Sequence, residues 1–570
     1  MKRPRTGVLL AAALSAVLIT GSRIAAAETV SNAGAAGDVT DSSVVLWARS
    51  NVMGKVKFKV VARDRKGAPS RVEHATVSDP LVPVKVKISR LNPATEYEYS
   101  ISVRNSDIAE GRFTTAAPAG VSRGLRFGVS GDWRGELAPF PAVKNAARRG
   151  LDFFVELGDT IYADFPSPDV PILQATTVAE FRAKHNEVYS PRFGLNTLGD
   201  LRASTPIFAT IDDHEVTNDF AGGAPPSSDP RFAQFPDALI NETALYRNGI
   251  QVFHEYNPIS DEFYGTTGDP RTSQKPKLYR YRTFGSDAAI FVLDARSYRD
   301  RELTPANPLV PSDVGRFIVQ SFDPARTMLG AKQIEDLEND LIAAQNTGVT
   351  WKFIMLPEPI QNLGVVSAQD RFEGYASERT ALLRFIKDHD IRNVVFVSAD
   401  LHGTLVNNLT YQERPFGPQI GSDAFEIITG AVAFDAPFGP TVVNLAAQLG
   451  LLTPAEVGFY NSLPVRNDGD DIANDKDDFL KLLVNRQIGP LGYDPLGLNG
   501  STIPARLEVG DYIAVHTYGW TEFQIDRATS GLRVRTYGIQ PYTRAEMEAA
   551  PQSVTSREPV VVSQFSVEAR

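Results

Sequence analysis

Phe153-Phe154-Val155-Glu156-Leu157-Gly158-Asp159-Thr160-Ile161-Tyr162 is the stretch from which the fold can be read. Five residues, four of them apolar, make a strand of the kind buried on both faces, and the run stops abruptly at a Gly-Asp pair. Five more short apolar runs end in polar clusters of their own, at residues 125–130, 206–211, 288–293, 352–356 and 393–397. Helical patterns at 333–346 and 378–388 fall between them, so this part is an α/β layered domain. In such sheets the ligand crevice lies beyond the carboxyl ends of the strands, where residues far apart in sequence converge.

Upstream, residues 37–115 alternate in period two, as in Val56-Lys57-Phe58-Lys59-Val60 and Tyr97-Glu98-Tyr99-Ser100-Ile101. Turn residues separate these runs, which predicts an all-β sandwich over 28–117. Leu91-Asn92-Pro93-Ala94-Thr95-Glu96-Tyr97 resembles the tyrosine corner of fibronectin type III domains, so the amino-terminal domain is expected to be fibronectin- or immunoglobulin-like. Lys2, Arg3 and Arg5 precede an apolar run, and Ala25-Ala26-Ala27 offers a cleavage site; residues 1–27 read as a secretory signal peptide. The run is too short for a stable membrane anchor, which places the protein in the periplasm or outside the cell.

The 570 residues are 42% hydrophobic and 22% charged, enough for more than one domain with a large core. There is no cysteine, which excludes disulfides, thiol nucleophiles, thiolate zinc sites and iron–sulfur clusters. Against 68 Asp+Glu stand 58 Lys+Arg, a net charge of -10, and no nucleic-acid-binding surface is expected.

The strand ends carry the chemistry. They read Gly131-Asp132-Trp133-Arg134, Gly158-Asp159-Thr160-Ile161-Tyr162, Asp212-Asp213-His214-Glu215, Asp294-Ala295-Arg296-Ser297-Tyr298-Arg299, Pro357-Glu358-Pro359 and Asp400-Leu401-His402-Gly403. An oxygen-rich set with a few imidazoles suits Fe, Mn, Zn, Ca or Mg. It also suits two ions, since one carboxylate can bridge a pair about 4 Å apart. Arg134, Arg296 and Arg299 are placed to fork onto phosphate oxygens, or else to hold the loops by salt bridges.

Four of these endings in order, Gly131-Asp132, Gly158-Asp159-Thr160-Ile161-Tyr162, Asp212-Asp213-His214-Glu215 and Asp400-Leu401-His402, resemble the calcineurin-like metallophosphoesterases and, more narrowly, the alkaline phosphatase D family, which shares with purple acid phosphatases a tyrosine in the second motif. The resemblance implies a metallophosphoesterase β-sandwich core flanked by helices over 118–570, with a late insertion around 447–507. Carried over residue by residue, it makes Asp159 the bridging carboxylate and Tyr162 a phenolate ligand of an Fe(III)-like ion. Asp132 becomes the first ligand of that ion, where the family often has a cysteine. Asp213 holds the second ion and His214 faces the substrate. Asp400 and His402 stand where the superfamily has Gly-His-x-His, and replacing the first His by Asp favours calcium. Glu358 is a further candidate ligand, set against a structural glutamate between two prolines. The implied cofactors are two or more ions, Fe(III) with Ca, with Mn, Zn or Mg as alternatives.

The expected reaction is hydrolysis of phosphodiesters and phosphomonoesters by in-line attack of a metal-bound hydroxide, with His214 protonating the leaving oxygen. Arg134 and Arg296 would bind the phosphoryl oxygens. Nucleotides, phospholipids and teichoic-acid-like polymers are the substrate classes that the resemblance implies. The competing readings are a secreted, metal-stabilised binding protein without turnover and a phospholipase D-like phosphodiesterase. Outside this set, Asn467-Asp468-Gly469-Asp470-Asp471 and Asp475-Lys476-Asp477-Asp478 form an acidic cluster without EF-hand spacing, read as a loop whose acids cap a helix over 479–487, with weak calcium binding as the alternative. His516 is a lesser candidate for the site, and His74, His185, His254 and His389 are assigned to surface or core.

Overall fold

The computed structural model describes residues 34–63, 70–104 and 106–570, and the leader expected at 1–27 lies outside the described residues. The alternating amino-terminal runs form short strands between residues 35 and 114. Gly54–Ala62, Arg71–Val77, Glu96–Val103 and Ser106–Thr114 make a four-stranded antiparallel sheet. Val56, Phe58 and Val60 face inward from it while Lys55, Lys57 and Lys59 face solvent, as a two-residue period requires. The Tyr97 hydroxyl accepts the Asn92 N–H at 2.8 Å and pins the turn between them.

The remaining amino-terminal strands do not close a sheet of their own. Gly37 pairs in parallel with Ile207, so Ala35–Gly37, Ser43–Ala48 and Val84–Ser89 continue the sheet of the following α/β part. Periodicity shows which face of a strand is buried but not which strand it pairs with, and this continuity is invisible in the sequence.

Two large sheets pack face to face. The ten-stranded sheet runs through Tyr518–Ile525, Leu125–Ser130, Phe153–Leu157 and Ile207–Thr210 at its centre. The seven-stranded sheet contains Arg280–Phe284, Ala288–Val292, Trp351–Met355, Val394–Ser398, Ile420–Ile428, Thr404–Tyr411 and Ile513–Ala514. Phe127 stacks on Phe153 at 4.7 Å and on Phe523 at 4.8 Å within one sheet, and meets Phe353 of the other edge-on at 4.8 Å. Burying each such ring stabilises by about 1.5–3 kcal/mol. The helices Ala331–Asn346 and Ala376–Asp388 cover the outer face, with Leu337, Leu341 and Leu383 against Phe291, Ile354 and Phe396.

Within each sheet the strands that carry the polar endings are parallel. The Thr210 hydroxyl donates to Leu293 O at 2.8 Å and ties the end of a strand in one sheet to the end of a strand in the other. Both sets of carboxyl ends therefore open on the same edge. Beside it the late segment forms helices Phe438–Gln448, Pro454–Ser462 and Lys476–Ile488, packed on Leu401, Leu405, Ile428 and Val515. The last helix begins earlier than the expected 479 because Asp475 caps it, accepting the Asp478 N–H at 3.0 Å. Among the described residues no helix is long and apolar enough to cross a membrane.

Candidate metal centre

The backbone at the strand ends is held in an unusual conformation. Asp132, Asp159, Asp400 and His402 have φ of 64°, 52°, 65° and 60°, the left-handed region that side chains other than glycine seldom enter. Such residues persist only where the surroundings over-determine them, and they gather at functional sites. Gly158, at φ 83°, passes so close to the third motif that a Cβ there would stand 2.6 Å from the Asp212 Cβ. Glu215, fully buried, closes this junction by accepting the N–H groups of Asp159, Thr160 and Asp212.

One ligand atom each of Asp159, Asp213 and His214 lies within 4.8 Å of the others. The His402 Nε2 is 3.3 Å from Asp132 Oδ1, and its ring stacks on Phe434 at 3.7 Å. Tyr162 packs its ring 4.2 Å from the His214 ring. Asp132, Asp159, Tyr162, Asp213, His214 and His402 thus lie together at one edge. Asp400 sits beside Asp212; burial raises its pKa well above the carboxylate range, and the charge of Asp212 adds to it.

The oxygens of this cluster lack ordinary partners. Both carboxylate oxygens of Asp132, the Tyr162 hydroxyl, Asp213 Oδ1 and Glu358 Oε2 are buried without a hydrogen bond. Burial, then the neighbouring Asp213, Asp212, Glu215 and Asp132, pushes the Asp159 carboxyl well above the carboxylate range. Burial likewise raises Tyr162, with Asp159, Asp132 and Asp213 adding to it. Burial also pushes Asp212 up to about 7, against the opposing pull of Arg296. Buried, crowded and unpaired hard oxygens are what a protein would otherwise avoid, and together with the His402 imidazole they fit divalent or trivalent cations.

His214 reaches the solvent side, its side chain 18% exposed. Its Nδ1 is 2.6 Å from Asp164 Oδ1. Burial opposes its charge, but Asp213 and Asp164 outweigh burial and lift the imidazole to about 10. Without a cation at Asp213, these two carboxylates favour the protonated form of the ring.

Of the two roles weighed for the arginines, phosphate binding and salt bridges that hold the loops, Arg296 and Arg299 make the salt bridges. Arg296, fully buried, places Nε 2.5 Å from Asp212, forks onto both oxygens of Asp370 at 2.7 and 3.0 Å, and contacts Glu358. All its nitrogens are engaged, so it holds carboxylates rather than standing open to a phosphate. Arg299 joins Asp370 at 2.6 Å and Glu358 at 3.3 Å. Glu358, tied to both arginines, faces them with one oxygen and leaves the other bare. Arg134 contacts Glu136 and Asp435 and lies over the Phe165 ring at 3.7 Å and the Tyr162 ring at 5.9 Å.

Three further acids escaped the motif reading. Asp219, Glu302 and Asp370 bring one oxygen each within 4.8 Å, next to the two arginines. Asp370 follows no strand and nothing in its neighbours marks it. Asp164 stands two residues after Tyr162, and that spacing alone could have singled it out. His516 does not reach the centre: its Nδ1 meets Asp477 at 2.7 Å and its Nε2 the Tyr460 hydroxyl at 2.8 Å, which joins the late helices to the sheet. Beside Asp400 and His402 an apolar cavity of about 240 Å³ opens between Leu363, Val442, Leu445 and Leu483.

Comparison with known proteins adds to this geometry. The family profile "PhoD-like phosphatase" matches residues 129–452, and "PhoD-like phosphatase, N-terminal domain" matches residues 18–117. Alkaline phosphatase D of Bacillus subtilis (strain 168) is 28% identical over 416 residues, which cover 66% of this chain and 64% of that protein. The match thus spans less than two thirds of that relative's length. Among solved structures, one described as "Structure of PhoD" superimposes with a TM-score of 0.66 at 19% identity, covering 95% of this chain and 91% of the other. It shows that the fold is shared.

Proposed function

The chain belongs to the PhoD-like phosphatase family, and on that premise we propose that it is an exported, cation-dependent phosphoesterase that hydrolyses phosphodiesters and phosphomonoesters at the strand-end centre. The observation that carries this reading is the meeting of Asp159, Asp213 and His214 beside the bare oxygens of Asp132 and Tyr162. Asp132, Asp159, Tyr162 and His402 would hold one cation, which the phenol suits to Fe(III). Asp159 and Asp213, with Asp400 and Glu358, would hold a second, for which the carboxylates suit calcium; Mn, Zn and Mg are the alternatives. Cations bound there lower the pKa of water toward neutrality and offset the charge of a phosphoryl group.

The protein's own groups do the rest. Asp164 holds the His214 ring through Nδ1 and leaves Nε2 facing the centre, 4.0 Å from Asp213 Oδ1, from where it would protonate the leaving oxygen. Arg134 is the arginine suited to a phosphoryl oxygen, because its partner Asp435 is 67% exposed and exchangeable. Arg296 positions Asp212, Glu358 and Asp370. The apolar cavity beside Asp400 and His402 favours diesters with an apolar group, phospholipids among them, over nucleotides or teichoic-acid-like polymers.

The test is turnover of bis(p-nitrophenyl) phosphate and p-nitrophenyl phosphate by the folded chain, before and after chelation, with Asp159→Asn alongside. Loss of diester turnover in both the chelated and the substituted samples is expected. Absence of turnover by the folded, metal-loaded chain would instead support a binding protein stabilised by metal. Release of choline from phosphatidylcholine vesicles separates the phospholipase D-like reading.

A further inference from the structure

The acidic loop before helix Lys476–Ile488 takes no part in the centre described above. One carboxylate oxygen each of Asp468, Asp475 and Asp478 comes within 4.8 Å of the others, as does one each of Asp471, Asp478 and Asp511. Asp478 belongs to both groups. Acids at a helix start are ordinary, and Asp475 Oδ1 does cap this one. Capping accounts for that oxygen and no other.

Asp478 is 1% exposed, and neither of its oxygens has a hydrogen-bond partner. Asp475 is fully buried with Oδ2 bare, and Asp468 leaves Oδ1 bare. Asp477 is different: it accepts the Val515 N–H at 3.0 Å and meets His516, so it is accounted for. The counter-charges are few. Lys481 joins Asp471 and, at 2.8 Å, Asp511; Arg466 meets Asp468 at 3.1 Å from the surface. Buried polar groups are paired in native proteins unless something else completes them.

We propose that Asp468, Asp475 and Asp478, with Asp471 and Asp511, form a second cation site, separate from the phosphoesterase centre, that takes calcium. The donors are all oxygens, without an imidazole or thiolate to select a transition metal, and several carboxylates arranged irregularly suit an ion of six to eight ligands. Asp475 and Asp511 each bring a carboxylate oxygen within 4.8 Å of one on Asp478, and a cation among them offsets the repulsion of these like charges.

The site has a structural consequence. Asn467 anchors the loop, accepting the Asp511 N–H at 2.7 Å and donating to Ile513 O at 2.9 Å and Val562 O at 3.0 Å. An ion at Asp478 therefore clamps helix Lys476–Ile488 to strand Ile513–Ala514. Leu483 and Val484 of that helix wall the apolar cavity beside Asp400 and His402. Calcium would set the position of that wall without touching the reacting atoms.

The test compares the full chain with Asp478→Asn, each loaded with calcium, desalted and assayed for calcium and transition metals per chain, and each melted in calcium and in chelator. The variant should retain one calcium fewer with its transition-metal content unchanged. Its Tm should lie below the parent's in calcium and above it in chelator, where losing a buried charge helps. Chelation strips the phosphoesterase centre of both proteins alike, so the difference between them reports this loop. Equal calcium content, or a variant of higher Tm in both conditions, overturns the proposal. Should Asp478→Asn not fold, Asp468→Asn, half-buried and outside the helix, gives the same calcium count.

Discussion

Glu215 and Thr160 are joined twice through one atom: Glu215 Oε1 accepts both the main-chain N–H and the hydroxyl of Thr160, each at 2.6 Å. Its other oxygen takes the N–H groups of Asp159 at 3.1 Å and Asp212 at 2.8 Å. A single buried carboxylate thus sets the separation of the second and third motifs, and it holds Asp159 through the main chain, leaving that residue's own carboxylate to the centre. The acid that ends Asp-Asp-His-Glu is a positioning residue.

Replacing it by Gln puts an NH2 where two donors already point. Glu215→Gln is expected to lose about 1–3 kcal/mol of stability, the cost of buried groups left unpaired. Turnover should fall on the order of 100-fold, because displacement by about 1 Å misaligns the reacting groups. Denaturant unfolding and steady-state rates measure both, and an unchanged rate would show that the two motif loops hold their spacing without it.

Arg296 gives a second contrast. If it holds carboxylates, Arg296→Ala leaves Asp212, Glu358 and Asp370 facing one another in the interior, and stability falls by about 3–5 kcal/mol. Were it instead a phosphate ligand, the fold would be intact and KM alone would rise. Thermal unfolding set beside KM and kcat distinguishes the two.

Removing the cations should make stability depend on pH. The folded pKa of Asp212 is raised from 3.8 to about 7, and those of Asp159, Asp400 and Glu358 are raised as well, each by burial first. Groups raised in this direction stabilise the fold fully below their unfolded pKa and lose that contribution as pH climbs through the folded value. The Tm of the chelated protein should therefore drop as pH rises from about 4 through about 7, while the loaded protein is spared. A gap between the two that stays constant across this range would show that the carboxylates are not the cation ligands.

His185 predicts the opposite slope. It is fully buried between Tyr189 and Tyr256, neither ring nitrogen is paired, and burial, with Arg202, lowers its pKa from 6.5 to about 3. Below the unfolded value the unfolded chain takes up a proton that the folded chain refuses. Stability is complete above about pH 6.5 and declines as pH falls toward 3, by as much as about 1.4 kcal/mol per unit. His185→Phe keeps the stacking and has no proton to accept. Calorimetry down the acid range should show a shallower fall for the variant, and parallel curves would mean that His185 is solvated.

What the sequence by itself determined is the local order of this protein. The short apolar runs, each broken by a polar cluster such as Gly-Asp, Asp-Asp-His, Asp-Ala-Arg or Pro-Glu-Pro, identified the six strands, parallel within each sheet, that carry the polar loops, because burial on two faces leaves only such runs. Parallel packing brought those loops to one edge, so Asp132, Asp159, Tyr162, Asp213, His214, Asp400 and His402 were legible before any coordinates. Other matters were decided only by the tertiary structure. The three amino-terminal strands extend the neighbouring sheet, Asp370 meets Arg296 from an unremarkable loop, and His516 turns to Asp477 instead of the centre. Strand and motif follow from periods of a few residues, which a sequence displays directly. Pairing partners and salt-bridge networks join residues up to hundreds of positions apart, and only the packed chain settles which buried charges meet.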